Sequence, residues 1–525
     1  MAVSQVYLRY ATGIKMSKSN LIKGTAVLTV AGLLTRIIGF FYRVYLSNAM
    51  GAEKLGIYQL IFPIYGIAFT IFASGIQTAI SKFVATELGR HHYKSINRTL
   101  KMGLILSVSI ALVVSFLTYQ YADILAKNVL MEPRSADSLR ILAFAFPFCG
   151  ATACINGYYY GLKKAGVPAM TQLFEQLVRV LCVYFLATYL GNGDLRVTHE
   201  MAVFGIVIGE VASNLYNIFS LAISNAPKEM RHLMKTDRFQ ALGKRAITGN
   251  LLRFSAPLTA NRLLISLLHS LEAILIPNLL RQSGLSNVEA LSIYGILNGM
   301  AIPFIMFPSA ITNSLSVLLL PTISEAQAAD NISLIRKTTA LSIKYSLLIG
   351  ILGAGIFLSF GQSLGNVVFH NQLAGSLITT MAWLCPFLYI TTTLSSIING
   401  MGKAHLTFVN SIIGLVTRIL LMLYLVPRSG INGYLNSLLI SQLVITAFDG
   451  IIVIKNIRPP FHAIDWILKP GIIITLCSYI LYRIYEYISP SHGGILILLG
   501  FCLGLTVLYL IFLGITKAVS LKDFK

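Results

Sequence analysis

Charge is scarce in this chain. Lys, Arg, Asp and Glu make up 11% of its 525 residues, less than half the share of about 25% in soluble domains. Acid is scarcest, at 19 Asp and Glu against 41 Lys and Arg. Long polar stretches are missing too, so no segment can bury a core of its own in water, and a grafted soluble domain is excluded. No P-loop, no Gly-rich dinucleotide turn and no cluster of acids and histidines in the loops is present, so no catalytic residue, metal site or cofactor is expected. Six cysteines, at positions 149, 154, 182, 385, 477 and 502, all fall inside apolar runs. Their spacings fit neither a zinc nor a redox motif and read as small core residues. Residues 1–15 carry no apolar core followed by small residues, so no signal peptide is expected. Met16 is an alternative start, with 1–15 as an extension.

What the chain has instead is apolar length. Hydrophobic residues reach 56% and mean hydropathy is +0.75. Runs of about twenty uncharged residues recur throughout, enough for a helix to cross about 30 Å of hydrocarbon. The expectation is an all-α polytopic membrane protein with about fourteen spans. They fall near 24–47, 57–81, 102–121, 139–162, 169–191, 201–223, 254–280, 291–320, 339–361, 376–400, 406–426, 432–454, 470–487 and 493–516. Pro63, Pro147, Pro257, Pro303, Pro308 and Pro386 lie in or near spans and are expected to mark kinks.

Basic residues set the orientation. With a cytoplasmic N-terminus, 28 Lys and Arg lie in cytoplasmic segments and span edges and 8 in external ones, and Arg36, Arg43, Arg179, Arg262 and Arg418 lie inside spans. Both termini are therefore expected in the cytoplasm of a plasma-membrane protein. The net charge of +22 does not indicate nucleic acid, because it is spread over short loops. The longest basic segment, 224–253, reads as a topology anchor meeting anionic lipid.

The sequence also repeats itself. Gly56-Ile57-Tyr58 recurs as Ser292-Ile293-Tyr294, 236 residues later. Phe146-Pro147-Phe148 recurs as Cys385-Pro386-Phe387 at an offset of 239, which also sets Gly161 on Gly400, Lys164 on Lys403 and Arg179 on Arg418. Two six-span lobes are expected, 24–223 and 254–454, related by a pseudo-twofold along the membrane normal, with substrate between them. Residues 1–23, 224–253 and 517–525 would be cytoplasmic, and 455–516 would hold two further spans with their preceding loop.

Charges inside spans are costly and usually functional. Arg36 and Arg43 are seven residues apart, on one helix face about 10 Å apart along the axis. With no acid on that helix, this pair suits a phosphate, which guanidinium forks bind through paired oxygens. The alternative is an ion pair between helices, such as Arg36 with Glu272, onto which an offset of 236 carries it. Glu175 and Arg179 have the spacing of a self-neutralising pair on one helix. Arg418 lacks that acid, since Gly414 stands where Glu175 would be, and so is the more available arginine. Arg262 lies where snorkelling could carry it outward. Glu210 could pair with any of these arginines or carry a coupling proton. The surplus of arginine argues for an anionic substrate with an apolar portion.

Several segments, in order along nearly the whole chain, resemble the stage V sporulation protein B family of the multidrug/oligosaccharidyl-lipid/polysaccharide flippase superfamily. They are Leu21-Ile22-Lys23-Gly24-Thr25, Thr35-Arg36-Ile37-Ile38-Gly39-Phe40 with Tyr42-Arg43, Ala79-Ile80-Ser81-Lys82, Gly157-Tyr158-Tyr159-Tyr160-Gly161, Glu175-Gln176-Leu177-Val178-Arg179, Gly209-Glu210-Val211-Ala212-Ser213 and Leu320-Pro321-Thr322-Ile323-Ser324-Glu325. The resemblance implies two lobes in a V, alternating access and a lipid-linked saccharide as substrate, most plausibly an undecaprenyl-pyrophosphate peptidoglycan precursor. It also implies that the last two spans form a groove for the lipid tail. The first-span arginines of lipid II flippases match Arg36 and, with one residue of slippage, Arg43, and Glu272 and Arg262 match members of the sporulation family. The acid of the flippases' second-span Ala-Glu-Gly is absent, since the chain reads Ala73-Ser74-Gly75, and Asn298 lies near the place of their basic residue in span eight.

The expected function is thus a flippase for an anionic lipid-linked saccharide in cell-wall or spore-cortex synthesis. Arg36, Arg43, Arg262, Glu272 and Arg418 would line the central cleft. Glu175, Arg179 and Glu210 would form a coupling or structural group. Transport would draw on an ion gradient or the membrane potential, and membrane lipids and cell-wall synthesis proteins are the expected partners. Competing readings are an exporter of other polysaccharide units, drugs or metabolites, and a non-transporting membrane scaffold.

Overall fold

The computed structural model describes residues 18–190, 196–223, 243–488, 494–516 and 518–519, with side chains from residue 31 on. The N-terminal segment before residue 18, most of the basic linker and nearly all of the C-terminal tail lie outside the described residues. Where described, the chain is helical and contains no strand. Backbone groups in hydrocarbon must find partners within their own segment, and a helix achieves this.

The helices are α1 (Lys18–Met50), α2 (Ala52–Gly89), α3 (Tyr93–Gln120), α4 (Pro133–Ala143 and Phe146–Gly161), α5 (Gly166–Leu190), α6 (His199–Ile223), α7 (Lys244–Gln282), α8 (Asn287–Met306), α9 (Ser309–Ala328), α10 (Ile332–Phe369), α11 (Gln372–Gly400), α12 (Ala404–Ile457), α13 (Ile464–Ile488) and α14 (Ile495–Ile515). Among the described residues eleven helices are long and apolar enough to cross a membrane, and twelve if the two parts of α4 form one span. Those two parts meet at 48°, with Pro147 in the first turn of the second part. Proline lacks the N–H that would continue the ladder, so the expected kink is present. The 54 residues of α12 are interrupted at Gly430, whose φ of 56° and ψ of −136° are non-helical. Only glycine adopts such a conformation readily, and Gly430 separates two runs that the sequence reads as two spans.

The chain forms two compact units. One comprises Met1–Gly39 and Ile64–Leu267, the other Phe40–Pro63 and Leu268–Lys525. The chain therefore passes between units inside α1, α2 and α7. In the first unit Ile76, Ile80, Val84, Leu100, Tyr159 and Leu251 are buried together where α2, α3, α4 and α7 meet. In the second unit Ile323, Ile343, Ile397, Val453 and Trp466 form another apolar core. There α13 and α14 lie on α10, with Phe360 against Tyr485 and Phe501 and the Tyr509 hydroxyl donating to Leu348 O at 3.2 Å.

Some local contacts recur 239 residues apart, the offset of spans four and ten, although the second span was expected to recur at 236. A Cβ on Gly161 would meet Ser81 O and Val84 at 2.7 Å, and one on Gly400 would meet Leu320 O at 3.0 Å and Ile323 at 2.9 Å. Each partner lies 239 residues after its counterpart. Small residues let membrane helices approach closely, and here one crossing is made twice.

Candidate functional site

Most of the intramembrane charges are held by neighbours within their own unit. In the first unit α5 places Glu175 and Arg179 one turn apart, and they form the expected ion pair, about one-fifth exposed. Glu210 on α6 is buried and accepts a hydrogen bond from the Tyr65 hydroxyl at 3.1 Å. Tyr65 also lies 3.6 Å from the Cys149 thiol. Gly209 brings α6 onto α5, because a Cβ there would lie 3.1 Å from Glu175 O. The same Cβ would lie 3.5 Å from Arg179 Nε, so Gly209 sets the neighbouring Glu210 beside the Glu175–Arg179 pair.

Arg262 on α7 is exposed but engaged. Its Nη1 donates to Ser74 O and Ser74 Oγ at 2.7 Å and to Thr78 Oγ1 at 3.1 Å. Residues 70–74 form a single π turn of α2, and Ser74 O at its end also accepts from Thr78 Oγ1 at 3.1 Å. Nearby, Lys82 sits 3.8 Å from the Phe254 ring centroid. Arg262 thus joins α7 to α2.

In the second unit Glu272 on α7 is buried. Its Oε1 accepts from Arg418 Nη1 at 3.0 Å and from the Tyr434 hydroxyl at 2.9 Å, and His269 lies 3.7 Å away. Arg418 Nε donates to Ser441 Oγ at 2.8 Å. This corrects one reading of the sequence: Arg418 does have an acid, supplied by α7 instead of its own helix. Sequence spacing could not reveal this pair, because its members are 146 residues apart.

Arg36 and Arg43 are both exposed on α1. Arg36 belongs to the first unit and Arg43 to the second. Among the described residues of its own unit, Arg36 makes no ion pair or side-chain hydrogen bond. It therefore differs from Arg179, Arg262 and Arg418, whose guanidinium groups are committed to protein acceptors.

Sequence reasoning overlooked Asp449. It is 1% exposed in the second half of α12 and accepts from Asn410 Nδ2 at 2.7 Å and Ser395 Oγ at 2.8 Å. Its position inside the expected span 432–454 was the available signal, since any acid there is costly. Among the described residues no group of three or more His, Cys, Asp or Glu side chains could hold a metal.

This architecture is that of a known class of membrane proteins. A solved structure of the lipid II flippase MurJ, inward closed, superposes with a TM-score of 0.67 at 15% identity, covering 93% of this chain and 98% of that one. An inward-facing multidrug resistance MATE family transporter of the MOP superfamily gives 0.62 at 15%, covering 81% and 94%. These likenesses establish the fold. In sequence, residues 21–327 match the polysaccharide biosynthesis protein family, and the chain belongs to that family. It is also 26% identical over 512 residues to stage V sporulation protein B of Bacillus subtilis (strain 168), covering 97% of this chain and 98% of that protein. The chain is thus a multi-pass membrane protein whose relatives are flippases and transporters rather than enzymes.

Proposed function

We propose that this protein is an alternating-access flippase moving a lipid-linked anionic saccharide, an undecaprenyl-pyrophosphate precursor of the lipid II type, across the plasma membrane for cell-wall or spore-cortex synthesis. The observation that carries the reading is Arg36. It is an exposed intramembrane guanidinium without an acid among the described residues of its own unit, while Arg179, Arg262 and Arg418 are neutralised or tethered. A guanidinium kept in an apolar layer for an incoming pyrophosphate accounts for that cost. The likeness of fold to the lipid II flippase MurJ supports the same substrate class.

The proposal includes fourteen spans. The break of α12 at Gly430 and the inclusion of α1 raise twelve to that number. It keeps two six-span lobes, 24–223 and 254–454, with cytoplasmic termini and a final pair of spans for the lipid tail. Arg43 would act with Arg36 on the anionic group, while Arg262, Glu272 and Arg418 shape the path. Energy would come from an ion gradient or the membrane potential.

Lipid II translocation into proteoliposomes tests the reading, with Arg36→Ala beside wild type. Loss of a charge-assisted contact of about 1.5–3 kcal/mol predicts a drop of about tenfold or more. Equal transport by both proteins would refute the role of Arg36. No transport by either would refute the substrate, and efflux of cationic dyes instead would favour an exporter.

A further inference from the structure

Two polar trios, buried except for the half-buried Ser395, occupy matching places in the repeat. In the first unit Thr171 Oγ1 on α5 donates to Asn217 Oδ1 on α6 at 2.8 Å, and Asn217 Nδ2 donates to Asn156 Oδ1 on α4 at 3.5 Å. In the second unit Asn410 and Ser395 donate to the two oxygens of Asp449. Asn156 and Thr171 stand 239 residues before Ser395 and Asn410. Asn217 stands 232 before Asp449, the difference reflecting the shorter connection at Gly430. Each trio pins three helix segments together. The two differ in one respect, for the central group is a neutral amide in one and an ionisable acid in the other.

Among the described residues no cation pairs with that acid. Its printed partners there, Asn410 and Ser395, are both neutral. Among the described residues, Lys455 stands six residues after Asp449 on α12, about 9 Å along the helix, His405 stands five before Asn410, and Lys403, which caps α12, is bound to Asn456; none of the three is paired with Asp449. On α10, Lys344 acts on Asp465 and Arg336 donates to Ile457 O at 2.9 Å. On α11, Cys385 is buried and the Tyr389 hydroxyl donates to Ile305 O at 2.6 Å. An unpaired buried charge is disfavoured, and such a group exchanges a proton instead of remaining ionised. The surrounding groups can accept either state. The Ser395 hydroxyl donates to a carboxylate as observed and, after rotation about its C–O bond, accepts from a protonated Oδ2. A bare metal cation would require about six oxygen ligands, more than this trio supplies.

We propose that Asp449 is a proton-binding site of the second unit, taking up and releasing one proton during the conformational cycle, with the Asn156–Thr171–Asn217 trio as its permanently neutral counterpart. Its place in transport rests on the flippase reading, but proton binding does not. The proton moves between water and Oδ2, breaking and forming one O–H bond, and no other reactant is needed.

The test compares wild type with Asp449→Asn, the residue the first unit already uses at this position. Infrared difference spectra of purified protein in liposomes across a pH step are expected to show a protonated-carboxyl band in wild type that is missing in the variant, with thermal midpoints alike. Identical spectra would overturn the proposal whether or not either protein moves lipid. With lipid II as probe, an imposed pH gradient is expected to change the transport rate of wild type and not of the variant. The same response in both would leave Asp449 as a helix pin and overturn its role in the cycle. The infrared result stands independently of transport, so failure of the flippase reading and failure of this one are distinguishable.

Discussion

Replacing Arg418 by Met would leave Glu272 buried with only the Tyr434 hydroxyl at 2.9 Å and His269 at 3.7 Å. Both members of the pair are about one-tenth exposed, so water cannot take over from the lost guanidinium. Removing one partner of a buried ion pair typically costs about 3–5 kcal/mol. Interhelical hydrogen bonds in membranes average only about 0.6 kcal/mol, and the contact with Ser441 adds an amount of that order. A loss of about 3 kcal/mol is expected. Glu272→Gln is milder, because its amide oxygen still accepts from Tyr434, and about 2 kcal/mol is expected. The double variant removes both charges and should lie within about 1 kcal/mol of wild type, a coupling of about 4 kcal/mol between the sites. Reversible unfolding in mixed detergent micelles measures all four proteins. Additive losses in the double variant would refute the reasoning, since they would show that neither charge depends on the other.

Other consequences concern packing and backbone. Gly161→Ala puts a methyl 2.7 Å from Ser81 O, whereas Gly400→Ala meets Leu320 O at 3.0 Å; both should destabilise, by about 1–3 kcal/mol, with the larger fall in thermal midpoint for Gly161→Ala. Arg262→Ala uncovers the carbonyl of Ser74 in the α2 π turn, and a cysteine placed at 74 should then react faster with a water-soluble maleimide, while an unchanged rate would show that Arg262 does not cover it. Ser286 and Glu289 form a reciprocal cap at the start of α8, so Ser286→Ala should cost about 1 kcal/mol in the same unfolding assay.

Composition and apolar run length determine that this chain is helical and membrane-embedded, because hydrocarbon leaves a backbone few other solutions. Proline placed the bend of α4, and the 239-residue offset located a crossing made twice, since both depend on residues close in sequence or on a copied pattern. Glu175 with Arg179 was legible for the same reason, their spacing being one helical turn. Partners brought together by packing were not legible. Glu272 finds Arg418 across 146 positions, Arg262 finds a π turn that no spacing announces, and Asp449 draws meaning from two neutral neighbours on other helix segments. A charge in a span is visible in the sequence as a cost. Whether that cost is met by an acid, a carbonyl or a proton is settled only where the helices cross, because Coulomb and hydrogen-bond energies depend on distances that the linear chain does not contain.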